Sequence, residues 1–310
     1  MRESTSESAT ASPGRANRFT GVEFADTKVT GWRGRSGHRQ AHAPSPPRLV
    51  RSAGDTLPRP DHSQPYFSPM TRLLTWDDCR NARHIGGYET IDGRFTSDRG
   101  LIRADSLARL TNLGRRAVVE HGVSLIVDLR GDDELNRDPN PFGDRRHRVS
   151  GLEYVNLPII DITNTDALRA LDYRAGPIGY YPTILTHFQR QIGRVATAIA
   201  SANDGPVVIH CHAGKDRTGI VVGVLLALVG VPDHTIASDY AESEVNLSGI
   251  YRQWLESTPG LTMTELVSPA PVMLQLLALL HGRHGGPESY LRHAGVAPGD
   301  ISVLRDRLLV

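Results

Sequence analysis

Cysteine, lysine and long apolar runs are all scarce in this chain. Cys79 and Cys211 are the two cysteines among 310 residues. They cannot build a disulfide framework or a four-thiolate zinc site, and a reducing, cytoplasmic setting is the default expectation. Of the 35 basic residues only Lys28 and Lys215 are lysines, and 34 acidic residues bring the net charge to +1. No global basic field therefore points to nucleic acid or to an anionic membrane, and an anion site has to be local. No span stays apolar for the roughly 18 residues that a membrane helix needs. The longest candidate, residues 219–231, reads as a buried helix, and the N-terminus carries no apolar core of a secretory signal. What is present is 39% apolar residues, enough for a sizeable core.

Residues 1–69 are rich in Ser, Pro, Gly and Arg and show neither a 2 nor a 3.6 residue period, which is the composition of a disordered tail. Met70 opens the stretch where a folded domain begins, so the tail is either a solvated extension or untranslated, and residues 70–310 form the catalytic domain. Within it helix and strand alternate. Residues 101–103, 123–129 (VSLIVDL), 152–160 and 206–210 read as strands, the second as one covered on both faces. Thr111 caps a helix that Gly122 stops. Leu185, Phe188, Ile192, Val195 and Ile199 recur at helical spacing. Further helices are expected over 218–228, 236–240, 272–280, 288–293 and 301–308. The order predicts an α/β fold with a central, mostly parallel sheet flanked by helices, and a helical C-terminal part.

The chemistry concentrates in VVIHCHAGKDRTGIVVGVLLALVG, residues 207–230, where Cys211 and Arg217 stand in C-x5-R spacing between a buried strand and a helix. A thiol at a helix N-terminus beside an arginine ionises readily and becomes a nucleophile. The backbone N–H groups from His212 through Ala213, Gly214 and Lys215 to Asp216 can turn inward as an anion nest, and Arg217 offers a planar fork to two phosphate oxygens. Gly214 lets the loop close, and Thr218 can hydrogen-bond the sulfur as it leaves phosphorus. The implied reaction is phosphoryl transfer to sulfur followed by hydrolysis, with no cofactor. A metal site is disfavoured because no second ligand pair accompanies His210 and His212. Other readings are a packed core thiol, a non-catalytic phospho-binding module, and a rhodanese-type sulfurtransferase, which also sets a cysteine in an anion loop. Cys79 follows two aspartates that oppose thiolate formation and reads as inert.

HCHAGKDRTG resembles the signature loop of the cysteine-based tyrosine phosphatases, in particular the bacterial tyrosine and lipid phosphatases with HCxxGKDRTG. NARHIGGYETIDGR, LIRADSLARLT, VSLIVDLR, SDYAESEVNL and GGPESYLRHAGV are similar to further segments of that family, with Ala82 and His84 where it has Phe and Asp. The resemblance implies a metal-independent phosphatase acting on phosphotyrosine in proteins, with phosphoserine, phosphothreonine and phosphoinositides as wider substrates. Lys215 either raises the local positive potential for every phosphate substrate alike or, as the resemblance to lipid-active members implies, meets a second phosphate on an inositol ring. Three carboxyls compete as proton donor to the leaving group. Asp128 leads, at the end of a buried strand and matched by VDLR; Asp216 lies in the loop; Asp161 follows the next strand.

Overall fold

The computed structural model describes residues 72–144, 149–172 and 175–310; the tail expected over residues 1–69 lies outside them. Strands β1 (Arg83–His84), β2 (Leu101–Ala104), β3 (Leu125–Asp128), β4 (Glu153–Asn156) and β5 (Val207–His210) form one sheet in the order β1-β2-β5-β3-β4. All neighbours run parallel except β1 against β2. Strands β2, β3 and β5 are buried throughout because both faces are covered, which is why they read as continuous apolar runs. Leu101, Leu125, Val127, Val207 and Ile209 point into a large core shared with helices. The alternate residues Ile102, Ala104, Ile126 and Val208 pack on Trp76, Leu107, Leu110 and Val118.

Register brings the functional end of the sheet into line. Ala104 and Asp128 both pair with His210, and Asn156 pairs with Asp128, so the carboxyl ends of four strands finish level. Open α/β sheets bind ligands just beyond that edge. The residue after His210 is Cys211.

Helices account for most of what remains: α1 (Asn112–Glu120), α2 (Asp132–Arg137), α3 (Thr165–Ala170), α4 (Pro177–His187), α5 (Gln189–Ala200), α6 (Asp216–Leu228), α7 (Asp233–Ser257), α8 (Met263–Leu266), α9 (Ala270–His284), α10 (Pro287–His293) and α11 (Pro298–Leu308). Thr111 caps α1 by accepting from the N–H groups of Leu113 and Gly114, and Gly122 follows its end at φ +75°, as expected. The periodicity from Leu185 to Ile199 does not mark one helix. The chain breaks at Phe188, with φ −112° and ψ 27°, and divides the stripe between α4 and α5. Helix α7 runs for 25 residues, far beyond the expected 236–240. Its buried stripe continues through Ser243, Leu247, Ile250 and Trp254, but a serine and adjoining glutamates hide the apolar period. Among the described residues no helix is long and apolar enough to cross a membrane.

Candidate active site

Cys211 directly follows β5, residues 212–215 continue the loop, and α6 begins at Asp216, so Asp216 and Arg217 occupy the first helical turn. The loop leans on a wall that takes up its carbonyls. Ser106 N–H donates to the His212 carbonyl at 2.9 Å. Asn81 Nδ2 donates to the carbonyls of Ala213 and Gly214 at 3.0 and 3.3 Å, and Arg103 Nη2 donates to Gly214 at 2.7 Å. No described peptide bond is cis, and in a trans peptide the C=O and the following N–H point opposite ways. With three carbonyls drawn to the wall, the N–H groups of Ala213, Gly214 and Lys215 turn away from it, joined by the first-turn amides of α6, which lie ahead of the helix's own acceptors. Such an arrangement of amides can cradle an anion. Gly214 has φ +63°, and a Cβ there would stand 2.3 Å from the Ala104 carbonyl oxygen.

A buried ion network holds the wall. Asp239 of α7 accepts from Arg83 Nε at 3.0 Å and from Arg103 Nη1 at 2.5 Å, and Ser243 accepts from both guanidiniums at 3.3 Å. Burial opposes the Asp239 charge, yet the two arginines outweigh it and bring its pKa down to about 2. Arg83 Nη1 (2.5 Å) and Asn246 Nδ2 (3.1 Å) donate to Asn81 Oδ1, which fixes which way the Asn81 amide faces. The segments NARH, LIRAD and SDYAESEVN thus converge on the loop from outside it. Ala82 is buried among the core residues around Trp76, and His84 stands in β1 opposite Ile102.

At the mouth, Cys211 is buried at 2% exposure. Thr218 Oγ1 is buried with no hydrogen-bond partner among the described residues, consistent with a hydroxyl kept for the sulfur. Arg217 forms a fork-to-fork pair with Glu134 of α2, Nη1 to Oε2 at 2.5 Å and Nη2 to Oε1 at 2.8 Å. Glu134 Oε2 also accepts from the Gly131 N–H at 3.0 Å. Burial would raise the Glu134 carboxyl, but Arg217 prevails and lowers it to about 2. Sequence reasoning misses Glu134, since nothing local in DDEL announces a partner 83 residues away. Burial lowers His212 to about 4, against the pull of Glu134, so the ring is neutral at pH 7.

The carboxyl candidates separate by exposure. Asp128 has none and accepts from Arg130 Nε (3.0 Å) and Nη2 (2.8 Å), Asn140 Nδ2 (3.1 Å) and Tyr154 Oη (3.3 Å), with His210 Nε2 at 3.3 Å. Burial raises its pKa, but His210 and Arg130 more than reverse this and leave it far below the carboxylate range. Enclosed by these partners and held charged, Asp128 stands in surroundings unlike those a proton donor needs, a transferable proton within reach of the leaving oxygen. It anchors the strand ends instead. Asp161 is bound by Thr163 and by Gln191 of α5. Asp216, inside the loop, keeps 25% of its side chain exposed. The Lys215 side chain is 3% exposed, and its ammonium donates to the carbonyls of Glu265, Leu266 and Val267 at 2.5, 3.0 and 3.3 Å, with Asp216 Oδ1 3.7 Å away, so its three donors face that segment. Cys79 donates its S–H to Asp105 at 2.9 Å, and burial first, then Asp105, pushes its pKa well up, in keeping with an inert thiol.

The model of the tyrosine phosphatase family matches residues 74–310. A tyrosine-protein phosphatase of Nostoc commune is 34% identical over 219 residues, covering 67% of this chain and 73% of that protein. The triple specificity protein phosphatase PtpB of Mycobacterium tuberculosis is 27% identical over 259 residues, covering 67% of this chain and 90% of that one. Neither is named a sulfurtransferase. With a match spanning the sheet, the loop and the C-terminal helices, the chain belongs to the tyrosine phosphatase family and is a cysteine-based protein-tyrosine phosphatase.

Proposed function

We propose that Cys211 is the nucleophile, Arg217 the clamp on the transferring phosphoryl group, and Asp216 the group that moves the proton. The supporting observation is the loop itself: a cysteine at the end of the central strand, a cradle of amides beyond it, and Arg217 and Asp216 in the first turn of α6. In the first step the Cys211 thiolate attacks phosphorus, the P–O bond to the tyrosine breaks, and Asp216 gives its proton to the departing phenolate. In the second, water attacks phosphorus, its proton passes to Asp216, and the P–S bond breaks to release phosphate and regenerate the thiolate. Arg217 must exchange Glu134 for phosphate oxygens or share itself between them. Rapid denaturing quench during turnover of a labelled phosphotyrosine peptide is expected to trap phosphate on the protein, an alkali-labile acyl phosphate being excluded by mapping the label to Cys211. An enzyme that turns over yet traps no label would overturn the covalent route.

The substrate range proposed is phosphotyrosine first, with phosphoserine, phosphothreonine and phosphoinositides as further substrates, a breadth favoured by the relative named for triple specificity. Lys215 acts on all of them alike, through the fold of the loop. Lys215→Met strands three carbonyls that now accept charge-assisted bonds, at a cost of about 3 kcal/mol. It is expected to lower the melting temperature and to reduce kcat/KM for a phosphotyrosine peptide and a multiply phosphorylated phosphoinositide by the same factor. A loss confined to the phosphoinositide would restore the direct contact.

A further inference from the structure

Tyr180 and Tyr181 are neighbours on α4, and both hydroxyls reach one oxygen of Asp216, at 2.7 and 2.9 Å from Oδ1. Behind them Tyr240 of α7 places its hydroxyl 2.9 Å from that of Tyr181. A phenol carries one proton, so Tyr181 cannot donate in both directions. The consistent order is Tyr240 to Tyr181 to Asp216, with Tyr180 joining at the same oxygen. The rings lock edge to face, Tyr180 on Tyr181 with centroids 5.2 Å apart and Tyr181 on Tyr240 at 6.0 Å. Burial, helped by the charge of Asp216, pushes the Tyr181 phenol well up, and Tyr240 is raised as well, so both stay protonated donors at any working pH. Helix α6 leaves room for this chain of hydroxyls at Gly219, where a Cβ would come within 3.0 Å of the Tyr240 ring.

We propose that Tyr180, Tyr181 and Tyr240 are positioning residues for proton transfer: by filling Oδ1 of Asp216 they make Oδ2 the oxygen that carries the proton to and from the substrate. The proposal rests on the assignment of the proton to Asp216. Two phenols on one oxygen hold the carboxyl against rotation about its terminal bond, a soft two-fold torsion in an unrestrained aspartate, so the exchanging oxygen is presented the same way in both steps. A purely structural role, fastening α6 to α4, would support every substrate equally.

Leaving-group chemistry separates the two. In the full-length enzyme, kcat/KM reports the steps up to phenol release, and protonation matters for phenyl phosphate but hardly for 2,4-dinitrophenyl phosphate, whose phenolate departs unaided. Asp216→Asn is expected to lose about 100-fold more on phenyl phosphate than on the dinitrophenyl ester. Tyr181→Phe and Tyr180→Phe are each expected to lose about tenfold more on the former, and neither change should add to the loss in an Asp216→Asn background. Equal losses of the tyrosine variants on both esters, or losses that persist undiminished without Asp216, would overturn the proposal while leaving Asp216 as the acid. No ester dependence in Asp216→Asn would overturn the acid assignment itself. Should Tyr181→Phe fail to fold, Tyr180→Phe, at the rim with 9% exposure, decides the matter alone.

Discussion

Cys211→Ser is expected to lower turnover of a phosphotyrosine peptide by about four orders of magnitude or more, the scale at which loss of an activated nucleophile is felt, while the peptide still binds within about threefold of its original affinity. The split follows from where the proposed mechanism places the two functions. Binding of the phosphate dianion draws on the amides of the cradle and on Arg217, and those are held by Ser106, Asn81, Arg103 and Glu134, none of which touches the sulfur. Chemistry draws on the thiolate, and a serine hydroxyl with no strong base beside it is a far poorer nucleophile. Turnover by stopped assay and affinity by calorimetry, on the same preparation, check both halves. Residual hydrolysis near that of the parent enzyme would mean that Cys211 is not the attacking atom. Parallel loss of binding would mean that the sulfur, and not the backbone, builds the anion site.

Gly214→Ala is expected to lower the rate by about 100-fold, by an entirely different route. Its φ of +63° already disfavours a side chain, by about 1 kcal/mol, but the contact is worse: the new Cβ would lie 2.3 Å from the Ala104 carbonyl oxygen and 2.6 Å from the Asp105 nitrogen. Both belong to the backbone at the end of β2, which is tied into the sheet by pairing with β5 and cannot swing aside. The loop has to move instead, by something near 1 Å, and it takes with it the carbonyls now gripped by Asn81 and Arg103. A displacement of that size at the reacting centre costs about 100-fold in kcat/KM, and the strain lowers stability by about 2 to 4 kcal/mol. Kinetics beside a denaturation curve measure the two effects. A variant that keeps the parent rate would show that the backbone at 214 does not shape the cradle.

The parts of this molecule legible in its sequence are those made by neighbours along the chain. VSLIVDL and VVIH announce buried strands because both faces of β3 and β5 are covered, and the C-x5-R loop carries Cys211, Gly214 and Arg217 within seven residues. Even there α6 starts two residues earlier than the apolar pattern suggests, because Asp216 and Arg217 are polar yet already helical. β4 is shorter than its apolar stretch, since it is an edge strand paired only with β3. What stays hidden is pairing at a distance. Asp128 looks like an available carboxylate at a strand end until His210, Asn140 and Tyr154 close over it from other elements. Lys215 looks like a ligand for phosphate until residues 265–267 are seen to lie against it. Glu134 and the tyrosines of α4 carry no local motif at all, and only the fold brings them to the loop.

The burial of Lys215 has a consequence for the chemistry of the whole chain as a reagent meets it. Lys28 is the other lysine, so between residues 72 and 310 the protein offers amine-directed reagents one ε-amino group, at the end of a side chain that is 3% exposed, with three carbonyls on it. Reductive methylation or an activated ester finds nothing to modify there while the loop and the segment at 265–267 stay together. Reaction at Lys215 requires that they part, so its modification rate counts the openings of this one contact, and a phosphate analogue that tightens the loop slows that rate. The enzyme thereby carries, at the base of its own anion cradle, a single covalent reporter of how often the cradle loosens.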